Sequence, residues 1–128
     1  YQPKETLADS LSAADVHVVS LGARMAGVIH PCKVYGAMAV ARPIIYFGPS
    51  PSHISAILDE WQNGWAVTHG DVDEAVSVLR RIADLSPEVL DAIGDRGRAA
   101  MSGAFDPLLL CSRVCTTIEA AITAWALR

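Results

Sequence analysis

Nine residues, Gly22-Ala23-Arg24-Met25-Ala26-Gly27-Val28-Ile29-His30, run into Pro31-Cys32-Lys33, where apolar periodicity predicts the start of a helix. Proline suits a first helical position, because its φ is fixed and its missing N–H is one of the unpaired donors there. A glycine-containing loop entering a helix N-terminus offers free amides and the positive end of a dipole, which favours an anion such as a phosphate. Lys33, in the first turn, adds a positive charge if it points at the ligand; as a solvated surface lysine it would add nothing. Arg24 is in reach of a phosphate on one reading and a surface side chain on the other. His30 donates to the phosphate or caps the helix.

The other polar candidates read more blandly. His17 falls within a strand and is expected to be a satisfied core or edge histidine. His53 and His69 are expected on the surface, and Asp15 in a turn. Cys111 and Cys115 lie one helical turn apart and are expected to face the core. No Ser-His-Asp or Cys-His arrangement has credible spacing, and no catalytic side chain is assigned.

The elements that must hold the loop alternate. Lys4 to Ala14 is predicted helical, with Leu7, Leu11 and Ala14 on one face, and Asp15 to Leu21 is a valine-rich strand. The helix from Pro31 to about Val40 is broken by Arg42-Pro43, and Ile44 to Phe47 is a second strand. Ser52 caps a helix from about His53 to Trp61, which Asn63-Gly64 terminates. Trp65 to Thr68 is a third strand, followed by an amphipathic helix from Val72 to Ala83. Ser86-Pro87 opens a helix to about Phe105, and Asp106-Pro107 opens a last one to about Leu127. Strand and helix alternating at this spacing predict parallel strands, paired in sequence order by short right-handed crossovers. The fold class is therefore α/β, a Rossmann-like parallel sheet of three strands flanked by helices. Its apolar strands imply cover on both faces.

The chain has 128 residues, enough for one domain that buries roughly two thirds of its unfolded surface. At 52% hydrophobic and 19% charged it is too apolar for disorder. A net charge of −4 without a basic run excludes a phosphate-backbone footprint, so no nucleic-acid partner is expected. No uninterrupted apolar run reaches the ~18 residues of a membrane span. Tyr1 to Glu5 resembles neither a leader nor a start, so the chain is expected to begin mid-protein. Three sparse cysteines, Cys32, Cys111 and Cys115, lack zinc-ligand spacing and imply free thiols in a cytoplasmic setting.

His30 to Ile45 resembles the Pro-Ser-Lys-x-Tyr-Gly-x-x-Ala-x-Gly-Arg-Pro-Val-Ile segment of family 4 glycosyltransferases, in particular the branch that builds bacterial exopolysaccharide, capsule and O-antigen. Leu11 to His17 resembles the Ala-Ala-Asp-Val entry to that family's fourth donor-domain strand, and Gly64 to Asp71 its Gly-x-x-Val-x-x-Gly-Asp turn. The likeness spans about Leu7 to Ala83. It implies part of the donor-binding domain of a glycosyltransferase B fold, retaining transfer from a sugar nucleotide, and no metal ion. The sugar nucleotide is then a substrate, and no cofactor is needed. The implied donor site comprises Gly22, Arg24, His30, Cys32, Lys33, Tyr35 and Gly36, largely through main-chain amides of Cys32 and Lys33. The implied partner is an N-terminal acceptor domain, on which residues 106–128 would pack as a C-terminal helix, with attachment to the inner membrane face through that domain. By itself the chain is expected to be inactive, and to self-associate through the first strand's edge or the last helix.

The chain departs from the family pattern in its paired glutamates and at Ala41. The Glu-x7-Glu motif, whose second glutamate holds the donor ribose, registers onto Val28 and Gly36, and Ala41 stands where the pattern has glycine. A catalytically degenerate binding or assembly domain and a sugar-nucleotide epimerase-like domain are the alternatives.

Overall fold

A computed structural model describes residues 3–126; Tyr1, Gln2, and the expected end of the last helix at Leu127, lie outside the described residues. A 3-10 turn at Lys4–Thr6 leads into α1 (Leu7–Ser12), followed by β1 (His17–Ser20), a 3-10 turn at Ala23–Met25 and α2 (Lys33–Ala39). The chain continues through β2 (Ile44–Phe47), α3 (His53–Trp61), β3 (Gly64–Val67), α4 (Val72–Ala83), α5 (Pro87–Ser102) and α6 (Pro107–Ala126).

The three strands form one parallel sheet in the order β1-β2-β3, as the short crossovers predict. Their register sets His17 beside Ile44 and Ser20 beside Phe47, so the loops leaving β1 and β2 start side by side. Successive β2 side chains alternate between two apolar layers. Ile44 and Tyr46 join Val19, Val34, Met38, Ile54, Leu58 and Ala100 under α2, α3 and α5. Ile45 and Val67 pack with Val78 of α4 on the other face.

Several expectations need correction. The first helix is a 3-10 turn plus six residues of α1 with none buried; of its expected apolar face Leu11 and Ala14 are half-buried and Leu7 is exposed. α2 is regular only from Lys33, since the amides of Val34 and Tyr35 donate to Pro31 and Cys32 in tight i→i+3 turns. β1 is covered on one face only, and Val18 is 54% exposed. Its edge is open, but only in part. His17 and Leu21 donate to Pro43 and Phe47, so by alternation Val16, Val18 and Ser20 direct their groups away from β2. The left-handed residue closing α3 is Gln62 (φ 51°), while Asn63 is fully buried and Gly64 already belongs to β3. α5 stops at Ser102, short of Phe105.

α6 departs most. Cys111 and Cys115 are exposed, and no residue of α6 is buried, so its apolar stripe is not covered by this chain's own helices. This 20-residue helix is also long and apolar enough, by length and composition, to cross a membrane, although Arg113 and Glu119 interrupt it. A search for uninterrupted runs passes over such a helix.

The conformation of Ala41 accounts for the glycine that the resembling pattern has at this position. Ala41 is buried with φ 52°, a left-handed conformation that costs an L-residue roughly 1–2 kcal/mol and glycine almost nothing. Ala41→Gly is expected to stabilise the fold by ~0.5–1 kcal/mol, after the added unfolded-state entropy of glycine is subtracted. A rise in the urea midpoint at unchanged slope would report it.

Candidate functional site

The loop after β1 folds on itself. Met25 N–H donates to Gly22 C=O at 2.8 Å, Val28 and Ile29 both donate to Met25, and Gly27 takes φ 77°. All of Gly22 to His30 is exposed, including Val28 at 76%. At the loop's end the Cys32 thiol donates to His30 C=O at 3.6 Å, which ties the histidine to the start of α2. Among the described residues the amides of Cys32 and Lys33 have no main-chain partner.

The loop after β2 is anchored from below. Tyr46 is fully buried, donates to Pro49 C=O at 3.5 Å and accepts from Ser52 Oγ at 3.1 Å. A side chain on Gly48 would collide with the Tyr46 ring, so this turn needs glycine. Ser52 and Ser55 form a reciprocal capping box, with Ser55 N–H donating to Ser52 Oγ at 3.2 Å and Ser52 N–H to Ser55 Oγ at 2.8 Å. His53 is thereby set as the first residue of α3.

The two loops meet at Tyr35. Its Oη lies 3.0 Å from His30 Nε2 and 3.3 Å from His53 Nε2. The two imidazoles are edge-on at 4.7 Å between centroids, and Phe105 stacks edge-on against Tyr35 at 5.5 Å. His30 is exposed as a residue, yet Tyr35 and His53 cover part of its ring. That desolvation holds its pKa below the ordinary imidazole value, and the nearby His53 charge acts in the same direction. Desolvation lifts the Tyr35 phenol, with Cys32 adding to the effect.

Of the seven residues expected at the site, the structure brings His30, Cys32 and Tyr35 together. Arg24 and Lys33 are exposed and form no ion pair among the described residues. Gly22 is extended, with no atom within 4 Å of where a Cβ would stand. Gly36 is half-buried against Leu11 of α1, whose Cδ1 lies 3.4 Å from where a Cβ would stand. Sequence reasoning missed His53. Its exposure matches expectation, and its partners do not; its place at a helix start just after a strand was the available signal. His17 behaves as expected, half-buried with Nε2 2.9 Å from Leu11 C=O. Among the described residues no group of three or more His, Cys, Asp or Glu side chains is placed to hold a metal ion.

Sheet, loops and cluster define a Rossmann-like α/β fragment whose polar side chains gather beyond the carboxyl ends of two parallel strands, where such folds bind ligands. The chain is 32% identical over 91 residues to a protein described as "Probable glycosyltransferase WbjE" from Pseudomonas aeruginosa. The alignment takes in 71% of this chain and 22% of that protein, so the chain spans about a fifth of that relative's length. This similarity supports a glycosyltransferase at the level of that class. No protein-family model matches the chain. No solved structure matches it either.

Proposed function

We propose that this chain is the nucleotide-sugar donor-binding part of a retaining, metal-independent glycosyltransferase of family 4 and the B fold, acting on a polysaccharide or lipid-linked acceptor. The observation that carries the reading is the loop from Gly22 to Pro31 at the carboxyl end of β1, closing onto amides of Cys32 and Lys33 that have no main-chain partner among the described residues, in a chain similar to a probable glycosyltransferase. Those amides would meet the donor diphosphate and stabilise the charge it gains on departure. The acceptor would sit on an N-terminal domain, and the whole enzyme would work in the cytoplasm at the inner membrane face.

Lys33→Ala in the full-length protein is expected to weaken donor binding by ~1–2 kcal/mol, the scale of one charge-assisted hydrogen bond. Calorimetric titration with UDP-glucose and GDP-mannose measures it. Unchanged affinity would remove Lys33 from the site and leave the amides in place. The second reading, a degenerate binding domain, draws on Val28 and Gly36 at the positions of the family's two glutamates. It requires that neither nucleotide sugar bind at millimolar concentration.

A further inference from the structure

Asn63, the single asparagine of the chain, is followed by Gly64. Its main chain belongs to the sheet, since Ile44 N–H donates to Asn63 C=O at 3.1 Å. Its side chain is fully buried, and among the described residues neither Oδ1 nor Nδ2 has a hydrogen-bond partner. A carboxamide brings two donors and two lone pairs, so leaving them all dry is costly, and packing holds the group in place. The cover is α5. A Cβ on Gly97 would stand 3.0 Å from Asn63 Nδ2 and 3.2 Å from Met38 Cγ, so a glycine lets the helix lie this close.

An asparagine followed by glycine carries its own reaction. The Gly64 nitrogen, on losing its proton, attacks Asn63 Cγ. The new C–N bond closes a five-membered succinimide, and the side-chain nitrogen takes up a proton and leaves as ammonia. Water then opens the ring at either carbonyl, to aspartate or to isoaspartate, in which the main chain runs through the former side chain. Glycine favours the closure, because it has no Cβ beside the attacking nitrogen and the widest backbone freedom. The fold blocks the reaction twice. Burial excludes the water that must open the ring. The β2–β3 register also holds Gly64 beside Ile44, so closely that a Cβ there would fall on the Ile44 carbonyl. That crowding demands glycine at 64, so the reactive pair stays in the chain.

We propose that Asn63-Gly64 is a latent self-modification site, closed by α5 and β2, at which deamidation makes an opening of this corner of the domain permanent. Conversion needs α5 to lift and the start of β3 to leave β2. Neither product fits on return. Aspartate brings a charge into a fully buried place, and isoaspartate adds a methylene to the main chain where Ile44 pairs. Gly64 pairs with the first residue of β2, so the site lies at the amino end of the sheet, opposite the loops of the candidate functional site. Nothing here depends on what that site binds.

The test is the rate at which the 128-residue chain gains one mass unit and isoaspartate, in buffer and in urea. Mass spectrometry of the peptide holding residue 63 reads the first, and enzymatic methylation of isoaspartate the second. The chain has no other asparagine and no Asp-Gly pair, so the isoaspartate signal belongs to residue 63. Expected is conversion at least about a hundredfold slower in the folded chain than in the unfolded one, because the rate follows the open population. Gly94→Ala, which loosens α5, should convert roughly thirtyfold faster than the parent in buffer. A urea series below the midpoint should raise the parent's own rate in step with its falling stability. Asn63→Asp, the product itself, should lower the urea midpoint or fail to fold outright. Equal rates in the folded and unfolded chain, or no conversion in either, would overturn the proposal. An Asn63→Asp chain as stable as the parent would overturn it too, since the deamidated chain would then simply refold. A Gly94→Ala variant that is less stable yet converts no faster would remove α5 as the cover, with the same result.

Discussion

Gly94→Ala is expected to destabilise the domain by about 2–3 kcal/mol, a large part of the 5–15 kcal/mol typical of a folded domain. α5 lies chiefly on α2, and Gly94 is buried at the crossing. A Cβ there would fall on the carbonyl of Ala41, with the Arg42 amide 3.1 Å away. Both obstacles are backbone in a turn already held left-handed at Ala41, so neither can swing aside as a side chain would. The helices would have to separate, loosening Met38 and Ala100, which are fully buried beneath them. Intrinsic helix propensity pulls the other way, favouring alanine over glycine by about 1 kcal/mol, so the sign of the result isolates the clash. Gly22→Ala, where nothing stands within 4 Å and φ is −63°, is the clash-free comparison and should be stabilising by about 0.4–1 kcal/mol. Urea denaturation of both variants measures the difference. A Gly94→Ala variant as stable as the parent would mean that α5 does not lie this close to Ala41.

The boundaries of β2, α3 and α4 were readable to the residue because each is bracketed by chemistry that acts locally. Pro43 and Gly48 bound β2, Ser52 caps α3, and the Asp71 carboxylate accepts from Glu74 N–H at 2.9 Å to start α4. Local signals failed where the outcome depended on a distant neighbour. Leu7 and Leu11 have helical spacing, yet Leu7 is 51% exposed, since spacing alone does not decide which of them finds a neighbour. Cys111 and Cys115 share a face with the α6 stripe, but spacing identifies a face and not what covers it. The loop after β1 stood out as a candidate because glycine, proline and lysine mark it directly. His53 did not, since it meets Tyr35 across 18 residues of sequence, and only the β1–β2 register that sets Ser20 beside Phe47 brings their loops together.

α6 is expected to make the chain associate when it is studied by itself. Leu108, Val114, Ile118, Ile122 and Trp125 recur at helical spacing and are between 53% and 82% exposed, and no residue of the helix is buried. Fully burying one large apolar side chain is worth roughly 1.5–3 kcal/mol, so five of them bring about 7–15 kcal/mol to a helix-on-helix contact. That gross gain is of the same order as the 4–15 kcal/mol lost in association, which places the equilibrium in the range where concentration decides it. Size-exclusion chromatography with light scattering should therefore give a mass above 13.6 kDa that rises with loading. Ile118→Glu combined with Ile122→Glu should return it to the monomer mass, because both side chains sit mid-stripe and a buried unpaired carboxylate is costly. The β1 edge makes a different prediction. If association ran through strand pairing, the α6 variant would remain associated, and Val18→Lys, on the exposed face of the open strand, would disperse it. Lipid is the third arm. Arg113 and Glu119 lie within the helix, and a charge near a bilayer centre costs about 2.5–3.5 kcal/mol, so self-association should win over insertion. A chain that stays monomeric at every concentration, yet sediments with neutral phosphatidylcholine vesicles, would reverse that order and make α6 a lipid-facing helix.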